Sequence, residues 1–445
     1  MHIIAATLSL WVVLYQQDIP PESEQSLAHS GGTVVARLPE IGALVVAADA
    51  NFASRAAADP DVAYIVQDLE VQMIPDARAV TAAPMPEDAV IGRAVDPMYR
   101  LQWDKQRINA SMHGSYAVQR GHPEVLVAVL DTGAEATHPD IAPNLATSLS
   151  RSFYPVQDDP HGVADPKAWD DRNGHGTWCL SAVAAPINGT GISGVAPRVS
   201  TVALKVLGDN GVGSFVSLAQ ALLYSARRFD IVSMSLIGYL RRGDPNHEGL
   251  RELVQRAVTR ARESGVTVFA ALGNAAFDIN DPDFLAMYMP IPAELDGVIG
   301  VSATNYFDEK ASYSNYGFDI TDIAAPGGDL GVVPESGFEG DGALLGAWAP
   351  DSSTNPGAMY AWLQGTSMAC PNAAGVAALI VSQYGDFSPY RMRGPHLAPK
   401  IVENYLRQSA FPLNDERYYG AGLVDALGAV TIERMERTAA PPSGR

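Results

Sequence analysis

Cysteine is scarce: the 445-residue chain has two, Cys179 and Cys370. Two cysteines exclude a disulfide framework and a cysteine-rich zinc site. They leave a pair of buried thiols, the preferred reading because free cysteine packs as a small hydrophobe, or a single bridge. Positive charge is also short, with 30 Lys and Arg against 50 Asp and Glu, a net charge of −20. A phosphate backbone repels such a surface, so nucleic acid is not an expected partner. No apolar run reaches the ~18 residues that a membrane span needs. The nine histidines form no His-Glu-x-x-His, which removes that class of zinc protease. Gly-x-Ser-x-Gly is missing too, and with it the α/β-hydrolase elbow. The start, MHIIAATLSLWVVLYQQ, is apolar but lacks Lys, Arg and a clear small-residue cleavage site, so a signal peptide is weak or truncated.

What is present is core. Hydrophobic residues make up 47% of the chain and charged residues 18%, a globular composition. The length suggests two or three domains. After an N-terminal segment, 1–8, the runs WVVLYQQ, GGTVVARL, IGALVVAA and VAYIVQD read as strands. Two short helical stretches lie between them, giving β-α-β-β-α-β over 9–72, a small ferredoxin-like α+β domain. Residues 73–97 are rich in Pro, Ala and Asp and read as an exposed, cleavable linker. From 98 to 432, apolar strands at 125–131, 199–207, 230–236, 266–272 and 297–304 alternate with amphipathic helices at 217–228 and 250–265. This predicts an α/β domain, a parallel sheet with helices on both faces. Residues 433–445 read as a flexible tail.

Ligands of parallel α/β sheets sit at the carboxyl ends of strands. Four polar residues fall at such places. VLVAVLDTG ends in Asp131, VTVFAALGN in Asn274, and NGHGTWC and GTSMACPNAAG put His175 and Ser367 at the mouths of helices. Singly, each is an ordinary turn or cap residue. Together they supply acyl transfer: a serine nucleophile, a base for its proton, a carboxylate to orient the base, and an amide donor for the oxyanion.

DTGAEATHPDI, NGHGTWC and GTSMACPNAAG, in the order Asp, His, Ser, resemble the three signatures of the subtilisin-like serine proteases. The resemblance covers about residues 98–432. It implies a subtilisin-like three-layer fold, with Asp131 as orienter, His175 as general base and acid, Ser367 as nucleophile and Asn274 as oxyanion donor. The substrate is then a polypeptide. The first domain resembles the family's inhibitor-type propeptide, an intramolecular chaperone and inhibitor cut away within 73–97. The family's substrate-edge strand aligns with Ser235, Leu236, Ile237 and Gly238, where Ile237 replaces a usual Gly at the rim of the primary specificity pocket. Trp178 and Asn372 each replace a common His. Residues 328–359 look longer than the family's connection and read as a solvated loop. The family's calcium site maps onto Gln102, Asp140 and Asn188, with carbonyls of Pro186, Thr190 and Ile192. No cofactor is required for the chemistry. A monomer and export are expected, although two reduced thiols would also suit the cytoplasm. The long loop and propeptide style resemble proteases that trim lanthipeptide leaders. The competing class is a catalytically impaired pseudoprotease that binds peptides.

Overall fold

Strand β1 (Ser9–Tyr15) is apolar at every position from Leu10 to Tyr15 because both of its faces are covered. Side chains alternate across a strand. Trp11, Val13 and Tyr15 pack with Leu27 and Phe52 inside the small domain, while Val12 and Leu14 join the core of the large one. The described residues of this computed structural model are 8–57, 59–73, 81–82, 96–154, 166–337, 339–388 and 395–433. After β1 come α1 (Ser23–His29), β2 (Thr33–Leu38), β3 (Ala43–Ala48), α2 (Phe52–Ala56) and β4 (Val62–Gln67). The strands form an antiparallel sheet of order β2-β3-β1-β4. Residues 1–7 and the tail from 434 lie outside the described residues.

Most of the expected linker, 73–97, lies outside the described residues, which include Met73, Thr81, Ala82, Asp96 and Pro97 of it. Glu70–Met73 is a strand, β5, and Thr81–Ala82 another, β6. Asp96, near its end, is buried. The chain then runs through α3 (Trp103–Arg107), β7 (Leu126–Asp131), β8 (Arg151–Ser152), α4 (His175–Ala184), β9 (Ser200–Lys205), β10 (Val212–Ser214), α5 (Phe215–Ser225), β11 (Ile231–Met234) and β12 (Leu236–Arg241). It continues with α6 (Pro245–Glu263), β13 (Thr267–Ala271), α7 (Pro282–Met287), β14 (Tyr288–Ile291), β15 (Val298–Thr304), β16 (Ile323–Pro326), β17 (Leu344–Ala347), β18 (Tyr360–Leu363), α8 (Thr366–Tyr384) and α9 (Pro399–Ser409).

Seven strands make one parallel sheet, β16-β15-β13-β11-β7-β9-β8. Helices α4 and α8 pack on one face, α5 and α6 on the other. Along β7, Val127 and Val129 face the first layer, Ala128 and Leu130 the second. The expected strand 230–236 divides at Ser235. Ile231–Met234 stay in the parallel sheet, and Leu236 starts β12 in a second, antiparallel sheet, β10-β5-β12-β14. That sheet takes β5, at the end of the small domain, between two strands of the large domain.

The connection 328–359 is not simply a solvated loop. Its run Ala343–Ala349 is buried, and β17 pairs with β18. The cause is aromatic packing: a Cβ at Gly346 would stand 2.3 Å from the Trp178 indole nitrogen, and one at Gly174 2.2 Å from the Trp348 ring. Trp348 donates its indole N–H to Ser352 Oγ at 2.8 Å. Trp348→Ala leaves a ring-sized cavity beside Gly174, which at φ 105° is already a left-handed glycine position. A destabilisation of about 3–5 kcal/mol is expected, read as a lower urea midpoint in a Ser367→Ala background that holds cleavage constant.

Candidate active site

Asp131 closes β7 with its carboxylate at the carboxyl edge of the sheet. His175 is the first residue of α4, and its Nδ1 lies 2.8 and 3.0 Å from the two Asp131 oxygens. Asp131 Oδ1 also accepts the Thr132 N–H at 2.7 Å. Both side chains are buried. Burial works against an imidazolium, but the Asp131 charge and hydrogen bonds, with a contribution from Cys179, outweigh it and hold the His175 pKa well above the ordinary histidine value. With Nδ1 bound to the carboxylate, Nε2 is the ring atom left for chemistry.

Asp171 holds the mouth of α4. Its Oδ1 accepts the Thr132 hydroxyl at 2.9 Å and the N–H groups of Asn173 and Gly174 at 3.0 and 2.8 Å. Its Oδ2 accepts the Thr177 N–H and hydroxyl at 2.9 and 2.7 Å. One carboxylate thus satisfies N–H groups that a helix start leaves without partners. Its only trace in the sequence is an acid four residues before His175.

Ser367 is the second residue of α8. Pro371 lies four residues on, inside the helix, rather than in the first turn, where a missing N–H costs nothing. It therefore removes the helical donor to the Ser367 carbonyl. Ser235 Oγ donates to that carbonyl at 2.8 Å, and the Cys179 thiol approaches it at 3.7 Å. Cys179 Sγ also lies 3.9 Å from His175 Nδ1. Ser367 Oγ and His175 Nε2 are both buried, and neither has a hydrogen-bond partner among the described residues. The two atoms make no bond to each other here; in enzymes such pairs often tighten only when substrate arrives.

Asn274 follows β13. Its Oδ1 accepts the Thr366 N–H at 2.9 Å and the Thr366 hydroxyl at 2.8 Å. Two donors on one end fix that end as the oxygen and turn the NH₂ the other way. Thr366, read in the sequence only as part of the serine motif, sets the amide's orientation. Gly365 opens the helix at φ 152°.

The strand Leu236–Arg241 carries Leu236, Ile237 and Gly238 beside β5, in register Leu236 to Met73 and Ile237 to Gln72. On the other side Val212 pairs with Gln72, and Met73 N–H donates to Gly211 O at 2.8 Å. β12, which starts next to Ser235, thus pairs with a strand from the N-terminal part of the same chain.

Both cysteines are free buried thiols. Ligand atoms of Asp131, His175 and Cys179 fall within 4.8 Å of one another. They do not form a persuasive metal site. Burial pushes the Cys179 thiol up to about 11, and metals bind thiolates. The replaced histidine positions carry structural roles: Trp178 donates to Ala361 O at 3.2 Å, and Asn372 bonds the buried Lys105 at 2.6 Å and Asp104 at 3.2 Å.

The residues that the family resemblance assigns to calcium are only partly turned together. Asp140 Oδ2 accepts the Tyr360 hydroxyl at 2.7 Å and the Ile192 N–H at 3.1 Å; Oδ1 is buried and has no partner. Gln102 is engaged in both directions by Ser193, at 2.9 Å each. Asn188 Oδ1 accepts the Thr190 N–H and hydroxyl at 3.0 and 2.6 Å. Asp96, missed in the sequence because it closes a proline-rich linker, is the second carboxylate. It accepts the N–H groups of Asn188 and Gly189 at 3.0 and 2.7 Å and the Ser193 hydroxyl at 2.6 Å. Burial, with Asp96 adding to it, pushes Asp140 up to about 7. Among the described residues neither acid has a Lys, Arg or His ion-pair partner. Two buried acids and an orphaned oxygen fit a hard cation; the Gln102 amide does not contribute.

Residues 122–422 match the family described as the Subtilase family. The chain belongs to that family. It is a subtilisin-like serine endopeptidase. It is 31% identical to M-protease of Shouchella clausii over 83% of this chain and 74% of that protein. It is 34% identical to Subtilisin Savinase of Lederbergia lenta over 68% of this chain and 90% of that one. Its structure resembles the epidermin leader peptide processing serine protease EpiP of Staphylococcus aureus, with TM-score 0.78 and 23% identity over 96% of this chain and 99% of the other. A lanthipeptide protease is similar at TM-score 0.61 and 26% identity, over 74% and 93%. Among the described residues no helix is long and apolar enough to cross a membrane.

A base whose pKa is raised is neutral only at higher pH. The rise of kcat/KM with pH is therefore expected to have its midpoint above about 6.5, the ordinary histidine value. Asp131→Asn removes the charge that raises it. The limb should move to lower pH and the plateau fall by about 10⁴-fold, measured as kcat/KM from pH 5 to 10.

Proposed function

We propose that the chain is a self-processing zymogen whose triad is Asp131, His175 and Ser367. The observation that carries this is the pair of buried orphans, Ser367 Oγ and His175 Nε2, beside the Asp131–His175 bond. Ser367 Oγ attacks the scissile carbonyl carbon while His175 Nε2 takes its proton. Asn274 Nδ2 and the Ser367 N–H at the start of α8 receive the oxyanion. His175 returns the proton to the leaving amine, and an acyl-enzyme remains. Water then attacks the ester with His175 again as base, freeing the acid and restoring Ser367.

The small N-terminal domain acts as propeptide, residues 9–72, and the cut falls within 73–97. Supporting this, β5 lies antiparallel to both β10 and β12, as a bound peptide would. The substrate is a polypeptide in extended form, trimmed at defined sites as lanthipeptide leaders are; the likeness to EpiP and the lanthipeptide protease supports that class. Export of a monomer fits this reading. The pseudoprotease alternative has no observation in its favour, since all four catalytic positions are filled.

Expression of the whole chain beside Ser367→Ala tests the zymogen. Wild type should lose about 8–10 kDa from its N-terminus, with a new end inside 73–97, while the variant stays whole. Wild type that stays whole and takes no fluorophosphonate would return the pseudoprotease reading.

For calcium, we propose Asp140 and Asp96 as carboxylate ligands with carbonyls of Pro186, Thr190 and Ile192. The ion would neutralise two buried acids and brace the loop; it has no part in the chemistry. At about a thousand times its Kd, calcium should stabilise the fold by roughly 4 kcal/mol. Thermal melts of Ser367→Ala in calcium and in chelator should separate, and Asp140→Asn should abolish the separation.

A further inference from the structure

Gly273, beside Asn274, has φ +104°, and a carbon added there would stand 2.6 Å from Asn315 Nδ2, 2.9 Å from Tyr239 Oη and 3.1 Å from Ile237 Cδ1. These side chains fill the space between β12 and the turn that carries Asn274. Ile237 and Tyr239 are two residues apart on one strand and share a face. Tyr239 is fixed: its hydroxyl accepts from Asn315 Nδ2 at 2.9 Å, and that amide also donates to Leu272 O at 2.8 Å. Its ring meets Phe277 edge-on at 6.1 Å. Ile237 is 2% exposed and packed against it. It has nowhere to swing.

The register of β5 says which part of a bound peptide meets this wall. Met73 stands opposite Leu236. A peptide residue one step further stands opposite Ser235, whose hydroxyl holds the Ser367 carbonyl. That residue supplies the carbonyl which Ser367 would attack. Alternation turns its side chain away from the face shared by Val71 and Met73, toward Ile237 and Gly273. Val71 is buried in the same cluster as Phe215 and Leu236, an aliphatic subsite two positions before Met73. Resting on the protease reading above, we infer that Ile237, braced by Tyr239, closes the primary specificity pocket. The enzyme selects Gly, Ala or Ser immediately before the cut bond and rejects Leu, Phe and Arg.

The test uses self-processed enzyme and coumarin amides acetyl-Val-Gln-Met-X, which keep the β5 residues and vary X over Ala, Ser, Leu, Phe and Arg. Active sites are titrated with a fluorophosphonate. Wild type should cleave Ala and Ser at least about 10-fold better in kcat/KM than Leu, Phe or Arg, the scale at which pocket size discriminates. Ile237→Gly should raise the Phe-to-Ala and Leu-to-Ala ratios of kcat/KM at least about 10-fold. Ile237→Ala, a milder truncation, should give the same order with a smaller gain and serves if the glycine variant is unstable. Wild type that cleaves after Phe or Arg as well as after Ala overturns the inference. So does an unchanged Phe-to-Ala ratio in both variants with full titration. No titration of wild type at Ser367 is a different failure: it removes the protease reading and this inference with it.

Discussion

A single carbonyl ties the site together. Pro371 denies the Ser367 C=O its helical donor, and a buried carbonyl without a donor costs free energy. The deficit is met from two other elements, the Ser235 hydroxyl at the junction of β11 and β12 and the Cys179 thiol of α4. The proline that looks like a flaw in α8 therefore obliges the serine helix, the substrate-edge strand and the histidine helix to meet. Each of those segments carries one part of the chemistry. That acceptor adds a directional tie to the apolar packing that already sets α4 and α8 on one face of the sheet.

That constraint explains why the chain was partly readable before it was seen folded. Asp131, His175, Asn274 and Ser367 end or begin regular elements, and the period of Val and Leu placed those ends. What escaped were residues that act through others. Asp171 holds the helix mouth through bonds to residues 2, 3 and 6 positions on and ties it to Thr132 across 39, and Thr366 fixes the Asn274 amide across 92. Local pattern carries no trace of such distant pairs. Asp96 was hidden in a run of Pro, Ala and Asp whose composition reads as linker. Its burial depends on the loop near 188–193, which no nearby residue announces. The connection 328–359 misled for a similar reason: it is rich in Gly, Asp and Pro, while its LLGAWA run is what packs against Trp178.

The small domain shows the same logic at a larger scale. A strand apolar on both faces, such as Trp11–Tyr15, cannot be stable in a domain with one covered side. Its second face needs α5 and α6 of the large domain, and Arg256 closes the seam by donating to Tyr15 O and Ile41 O at 2.8 and 3.1 Å. Gln67 N–H donates to Asn246 Oδ1 at 2.6 Å beside the start of α6. With this docking in place, β5 pairs with β10 and β12 as part of the same chain, at an effective concentration far above that of a free peptide strand.

Buried acids pose the last problem in so acidic a chain. Asp131, Asp171, Asp96, Asp140 and Asp104 are all buried, and a carboxylate taken from water must be compensated. Only Asp104 is met by a lysine, Lys105. Asp171 is met entirely by neutral N–H and O–H donors, six residues or fewer away along the chain or from Thr132. This difference matters at the site. A lysine near α4 would oppose a positive His175, whereas dipoles fix the helix without adding a competing charge. Asp131 then remains the charged group in direct hydrogen-bond contact with the imidazole. The raised basicity of His175 and the rigidity of its support come from two aspartates with different partners, one spent on charge and the other on geometry.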